Sequence, residues 1–159
     1  MKPKQKVLIK WSSNFSYALG LLASDGNLAK NSGHINFTSK DKDQILNFSS
    51  CLGIHNKIGT KLSGSGNRSF YIQFGDVVFH RFLISIGITP RKSKTIGKVK
   101  IPKKYFFDFL RGVFDGDGTF YSYYDPRWRS SFMFYTGFTS ASIKHVKWLR
   151  DSIFKKLGI

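Results

Sequence analysis

Two aspartates carry the spacing of a catalytic pair. Asp25 and Asp117 each lie next to last in a nine-residue stretch that occurs twice without gaps, ALGLLASDG at 18–26 and LRGVFDGDG at 110–118. One offset relates Gly20 to Gly112, Asp25 to Asp117 and Gly26 to Gly118. Each stretch is short, mostly apolar and closed by glycine, which predicts a buried helix that stops at the Asp-Gly step. A glycine inside a helix costs about 1 kcal/mol relative to alanine. Two helices that accept it at the same position therefore predict a close backbone approach. Gly20 and Ser24 are four residues apart, as are Gly112 and Gly116, so each helix offers a strip of small residues to the other. The two aspartates would then meet at helix C-termini, where the helix dipole is already negative and where paired carboxylates raise each other's pKa. A divalent cation relieves both, and hard oxygen ligands favour Mg²⁺ or Ca²⁺. Paired metals in such a place activate water and stabilise a leaving oxygen, which is the chemistry of phosphodiester cleavage.

Composition narrows the partner. The 159 residues hold 26 Lys and Arg against nine acids, all of them Asp, for a net charge of +17. That surplus attracts polyanions, with nucleic acid the leading partner and an anionic membrane surface the alternative. Hydrophobic residues make up 41%, including sixteen Phe, which supplies a core and excludes disorder. A single cysteine, Cys51, excludes a disulfide scaffold and a multi-cysteine zinc site. The four histidines show no ligand spacing. No apolar run approaches membrane-spanning length, and the apolar part of MKPKQKVLIKW is too short for a signal peptide. An intracellular, soluble protein is expected.

The elements that must position the aspartates follow from periodicity and turn signals. Residues 1–14 read as a basic lead-in. Helix 15–25, a hairpin through Asn31-Ser32-Gly33, helix 41–52 stopped by Gly53, strands 56–63 and 68–75, and helix 76–86 stopped by Gly87 make a first repeat, 15–88. A basic linker, 89–103, contains Pro90, Gly97 and Pro102. A second repeat, 104–159, follows as an apolar helix to 118, strands 119–124 and 131–139, and a helix near 141–157. Alternation along the strands sets His34, Asn36 and Thr38 opposite Ile35 and Phe37, and Tyr71 and Gln73 opposite Ile72 and Phe74. In the second half Tyr121 and Tyr123 oppose Phe120, with Arg127 and Arg129 in the following loop. These side chains, with Arg68, form the expected nucleic-acid face, polar groups reading base edges and arginines meeting phosphates.

Both nonapeptides resemble the LAGLIDADG motif of homing endonucleases, and the order of elements around each resembles that family's αββαββα half. The resemblance implies an α+β fold of tandem repeats whose antiparallel sheets form a saddle over the DNA major groove. It implies that Asp25 and Asp117 hold Mg²⁺ or another divalent cation beside the scissile phosphates, with Gly26 and Gly118 adjoining the metals. Gly20, Ser24, Gly112 and Gly116 match the helix interface, and Lys92 or Lys94 matches a basic residue of the catalytic site. Motif one departs in having Ala23 where the family often has an acid; Asp115 fills that place in motif two. The implied function is a site-specific, double-strand DNA endonuclease of a mobile genetic element, acting in intron homing as a pseudo-symmetric monomer in a bacterial or phage cytoplasm. The alternative is an intron maturase that binds intron RNA, or an inactive nucleic-acid-binding derivative. Leu-Gly-Ile occurs at 52–54 and again at 157–159, so the second repeat is expected to be incomplete. Its sheet would have two strands and an open edge, to be completed by further sequence or by a partner chain.

Overall fold

Helix α1 (Ser13–Asp25) begins where Ser12 accepts a hydrogen bond from the Phe15 N–H at 3.0 Å. In the computed structural model, which describes residues 5–159, it runs directly into strand β1 (Gly26–Leu28). Strand β2 (His34–Ser39), helix α2 (Lys42–Leu52), strands β3 (Ile58–Leu62) and β4 (Arg68–Gly75) and helix α3 (Val77–Ile86) complete the first half. Helix α4 (Phe106–Asp117), strands β5 (Gly118–Tyr124) and β6 (Phe132–Phe138) and helix α5 (Ile143–Leu157) form the second. The glycines expected to stop α2 and α3 do so: Gly53 and Gly87 take φ of 66° and 108°, the left-handed region where a side chain is strained. The first four residues of the expected lead-in lie outside the described residues. Among the rest, Val7 is buried, and the Lys6 and Val7 N–H groups donate to the Asp76 carboxylate at 2.6 and 2.8 Å. Asp76 also caps α3 by accepting from the Phe79 N–H.

The architecture is α+β with antiparallel sheets. Four strands pair in the order β1-β2-β4-β3, and β5 pairs with β6 alone. One face of the larger sheet, carrying Leu28, Ile35, Phe37, Ile72 and Phe74, is buried in one cluster with α1, α2 and α3. Phe37 meets Phe48 of α2 with ring centroids 4.4 Å apart. The segment between α3 and α4 is not a solvated linker. Ile96 and Val99 join the core, and a 3₁₀ turn, Lys92–Lys94, turns Lys92 inward. No strand pair or helix among the described residues takes the place in the second half that β3, β4 and α3 take in the first. No helix is long and apolar enough to cross a membrane among the described residues.

Candidate active site

Helices α1 and α4 meet along the expected small-residue strip. A Cβ added to Gly20 would lie 2.9 Å from the Gly112 Cα and 2.8 Å from the Val113 nitrogen, and it would press into the Phe109 carbonyl. Added to Gly112, it would sit 2.9 Å from the Gly20 Cα. Real side chains do not fit at either place, so the glycines are required by backbone contact. Ser24 faces Gly116 across the same seam, and the Asp25 Oδ2 lies 3.0 Å from where a Gly116 Cβ would be. Both helices end in the same way. Gly26 and Gly118 are extended caps, at φ −77° and −82°, that turn each chain straight into a strand. The symmetric seam thus delivers Asp25 and Asp117 to one end of the molecule.

The electrostatics there are those of a crowded pair. Desolvation, then the charge of Asp117, raises the Asp25 pKa to about 6, and Lys92 pulls it back only in part. Asp25 remains open to solvent on its cleft side. Desolvation also raises Asp117, with Lys92 and His145 opposing. Lys92 is 6% exposed, and burial lowers its own pKa against the pull of both aspartates. Its ammonium donates to the Gly26 carbonyl. The turn that carries it includes Arg91 at φ 53°, a strained conformation for a residue with a side chain. Hydrogen bonds from the Thr95 and Ile96 N–H groups to the Lys92 carbonyl, at 3.0 and 2.8 Å, hold that turn. The first turn of α5 secures the same segment: Ser142 Oγ donates to the Ile96 carbonyl and His145 Nδ1–H to the Gly97 carbonyl at 2.9 Å. Burial lowers the His145 pKa. Its neutral ring with Nδ1 donating leaves Nε2 as the acceptor.

The protein groups that could contribute to a cation site here are few. Among the described residues no cluster of three or more His, Cys or Asp side chains could hold a metal. Two carboxylates with backbone carbonyls, water and phosphate completing the sphere are what Mg²⁺ accepts, since it retains water and uses few protein ligands. Ca²⁺ asks for six to eight oxygens, so this sparse donor set favours the smaller ion.

A scan against protein-family models finds no match, and a search of curated proteins finds none. Solved structures do match. The N-terminal LAGLIDADG domain of DUF199/WhiA aligns with a TM-score of 0.58 at 17% identity, over 96% of this chain and 70% of that one. The homing endonuclease I-WcaI bound to its DNA recognition sequence aligns with a TM-score of 0.57 at 13% identity, over 96% and 71%. This chain has a LAGLIDADG-like fold.

Within that LAGLIDADG-like fold most of the residues singled out from sequence are brought together. A groove running from Asp25 is lined by Asn27, His34, Asn36, Thr38, Lys61 and Gln73, which places the polar side of the first sheet beside the carboxylate. Tyr71 lies on the same sheet under Lys61, whose ammonium is 4.6 Å from the ring centroid. Arg68 is exposed at the start of β4. Lys94 is not brought in. It is exposed, and the clefts bordering Asp25 and Asp117 are lined by Lys92 instead, because a 3₁₀ turn sends consecutive side chains to different sides. Tyr121 and Tyr123 are exposed and lie parallel to Tyr135. Arg129 is exposed, whereas the guanidinium of Arg127 is tied to Asp125 at 3.1 Å.

Sequence reasoning missed several neighbours of the site. Tyr17 donates to Asp115 Oδ2 at 2.6 Å across the seam, and burial together with that bond raises the tyrosine pKa. The signal was present: in the repeat alignment Tyr17 corresponds to Phe109 and Asp115 to Ala23, so a polar pair on one side of the axis answers an apolar pair on the other. Gln44 Nε2 donates to the Asp115 carbonyl at 2.8 Å. Its role, like those of Ser142 and His145, depends on contacts over long sequence separations that no local pattern announces.

Proposed function

We propose that this chain is a divalent-metal-dependent endonuclease acting on double-stranded DNA. The observation that carries the reading is the pair of half-desolvated aspartates at the ends of two helices in glycine contact, opening onto a polar sheet groove in a protein of charge +17. Asp25 and Asp117 would hold the cation, with Gly26 and Gly118 turning each strand away from it. The metal, when bound, supplies a Lewis acid and an activated water at the phosphodiester. Lys92 lies where it can neutralise charge developing on the phosphate between the two carboxylates. Asn27, His34, Asn36, Thr38, Arg68, Tyr71 and Gln73 would read the duplex on one side, and Tyr121, Tyr123 and Arg129 would contact it on the other. A cleaving enzyme of this kind suits a mobile element that inserts at its own target.

The test is cleavage of a plasmid library carrying randomised targets, with Mg²⁺, read by sequencing the linear ends. Breaks at one sequence are expected. Asp25→Asn and Asp117→Asn should each reduce cutting by more than about a hundredfold, as loss of a principal electrostatic group does, while duplex affinity stays within a few fold.

A second reading, a nucleic-acid-binding derivative of duplex DNA or intron RNA without cleavage, is favoured by the asymmetry of the two sheets. Only the first forms a four-stranded groove. Tight duplex binding with no cutting by the unaltered chain in Mg²⁺ or Mn²⁺ would select it.

A further inference from the structure

The hairpin between β5 and β6 holds an exposed tryptophan in a locked turn. Asp125 is 4% exposed although it sits in a surface loop. Its Oδ1 accepts from the Arg127 N–H at 2.9 Å and from Arg127 Nε at 3.2 Å, and its Oδ2 accepts from Arg127 Nη2 at 3.1 Å. Backbone bonds close the turn on both sides: Asp125 N–H to the Ser131 carbonyl, Trp128 N–H to the Asp125 carbonyl, and Ser131 N–H to the Trp128 carbonyl, at 3.0, 3.1 and 2.8 Å. Trp128 occupies the apex with 66% of its surface exposed. The other two tryptophans pack on rings, Trp11 on Phe15 and Phe82, Trp148 on Phe106 and Phe109.

A single exposed apolar residue is ordinary. An indole on a locked turn is different, because the backbone that carries it is already ordered and a partner has only the side-chain torsions left to fix. The surroundings specify that partner. Arg127 and Arg129 flank Trp128, and the acid nearest in sequence, Asp125, is fully engaged by Arg127. Arg127 is spent on that carboxylate, and the exposed Arg129 beside the ring suits a phosphate backbone with a base laid on the ring. Protein segments would stack there too, but the net charge of +17 selects a polyanion. We propose that Trp128 stacks on a nucleobase at the far end of the second sheet. The seven residues of β5 span about 23 Å at ~3.3 Å each, and Trp128 lies in the turn beyond them, so this contact is remote in sequence and strand length from the carboxylates. The base must be unpaired, or unstacked from a duplex step at a cost of a few kcal/mol, so single strands bind the indole more readily than duplexes. This rests on the nucleic-acid partner of the proposed function and not on cleavage.

The experiment is intrinsic tryptophan fluorescence of the full chain, titrated with a single-stranded oligonucleotide, with the duplex of the same sequence, and with heparin, binding being followed independently by anisotropy of labelled oligonucleotide. Quenching by the single strand, weaker quenching by the duplex and none by heparin, which has charge but no bases, are expected. Trp128→Phe should abolish the quench while keeping affinity within about threefold, and Trp128→Leu should weaken single-strand binding about tenfold, the usual range for one stacked base. Equal quenching by heparin, or Trp128→Leu binding as tightly as Trp128→Phe, overturns the proposal. Oligonucleotide binding with no change at Trp128 overturns it alone. Failure to bind any nucleic acid overturns the proposed function as well. Neither substitution removes a packed ring, so unchanged thermal unfolding identifies variants that are folded.

Discussion

The two sheets are built from similar strands and end in opposite surroundings. In the first, Leu28, Ile35 and Phe37 alternate with Asn27, His34 and Asn36, and the apolar set lies at 0 to 3% exposure beneath three helices. In the second, the repeat places Phe120 where Leu28 stands, yet Phe120, Phe134 and Tyr124 are 59, 64 and 70% exposed. Phe138, next to the seam, packs edge-on to Phe114 at 5.7 Å, and coverage fades along the strands from there. Cross-strand pairing does not make the difference, because Phe120 and Phe134 still stack with centroids 6.2 Å apart. What differs is the surroundings: β3 and β4 widen the first sheet and α3 packs in the core cluster with its apolar face, and none of the three has a counterpart in the second half among the described residues. Alternation decides which residues share a face, and the next layer decides whether that face is dry.

The largest expected effect breaks the comparison directly. Phe37→Ala should cost about 3–5 kcal/mol in chemical denaturation, the usual loss for a buried aromatic, while Phe134→Ala should stay within about 0.5 kcal/mol as a surface change. A comparable loss at Phe134 would show that the second face is covered in solution. The seam between the halves comes next. Gly20→Ala or Gly112→Ala forces α1 and α4 apart and should cost at least about 1–3 kcal/mol by overpacking. Gly137→Ala, in β6, should be far milder, because its added carbon would meet only the Thr119 hydroxyl at 3.4 Å.

Electrostatics gives the third contrast. The Asp25 pKa rises from 3.8 to about 6 on folding, so the folded state holds that proton more tightly than the unfolded chain. Its contribution is complete below about pH 4 and is lost as pH rises through about 6. Melting temperature of the metal-free protein should therefore fall across that window, and Asp25→Asn should flatten the fall. Added Mg²⁺ should raise the melting temperature at pH 7 and have little effect at pH 4, where the carboxylate is protonated. The smallest effect tests the brace from α5. His145→Ala should increase chemical labelling of the Lys92 amine several-fold and lower cleavage by about tenfold, and His145→Asn, which restores a donor for Gly97, should recover both. In a Lys92→Met background the His145 change should add nothing, since groups that act as one unit are not additive.

Much of the site was legible because it is local. Asp-Gly after an apolar helix fixes each carboxylate at a C-terminus, and the matched offsets of Gly20 and Gly112 fix which faces touch. Tyr17 and Asp115 were readable in principle from the way the repeats differ. The choice of Lys92 over Lys94 was not, since both occupy one short turn and the decision lies in how Ser142 and His145 seize the segment beyond it.

The sequence by itself determined the order of elements, the pairing of the two motifs and the polar side of each strand, since these depend on periods of 2 and 3.6 residues and on glycine at close approach. Only the tertiary structure decided that the segment joining the halves is packed, that Lys92 borders the clefts of both carboxylates, that Asp125 locks a turn around an exposed Trp128, and that one aromatic sheet is buried while the other is bare. Those outcomes depend on contacts made by residues tens of positions apart, and chain packing in three dimensions selects them.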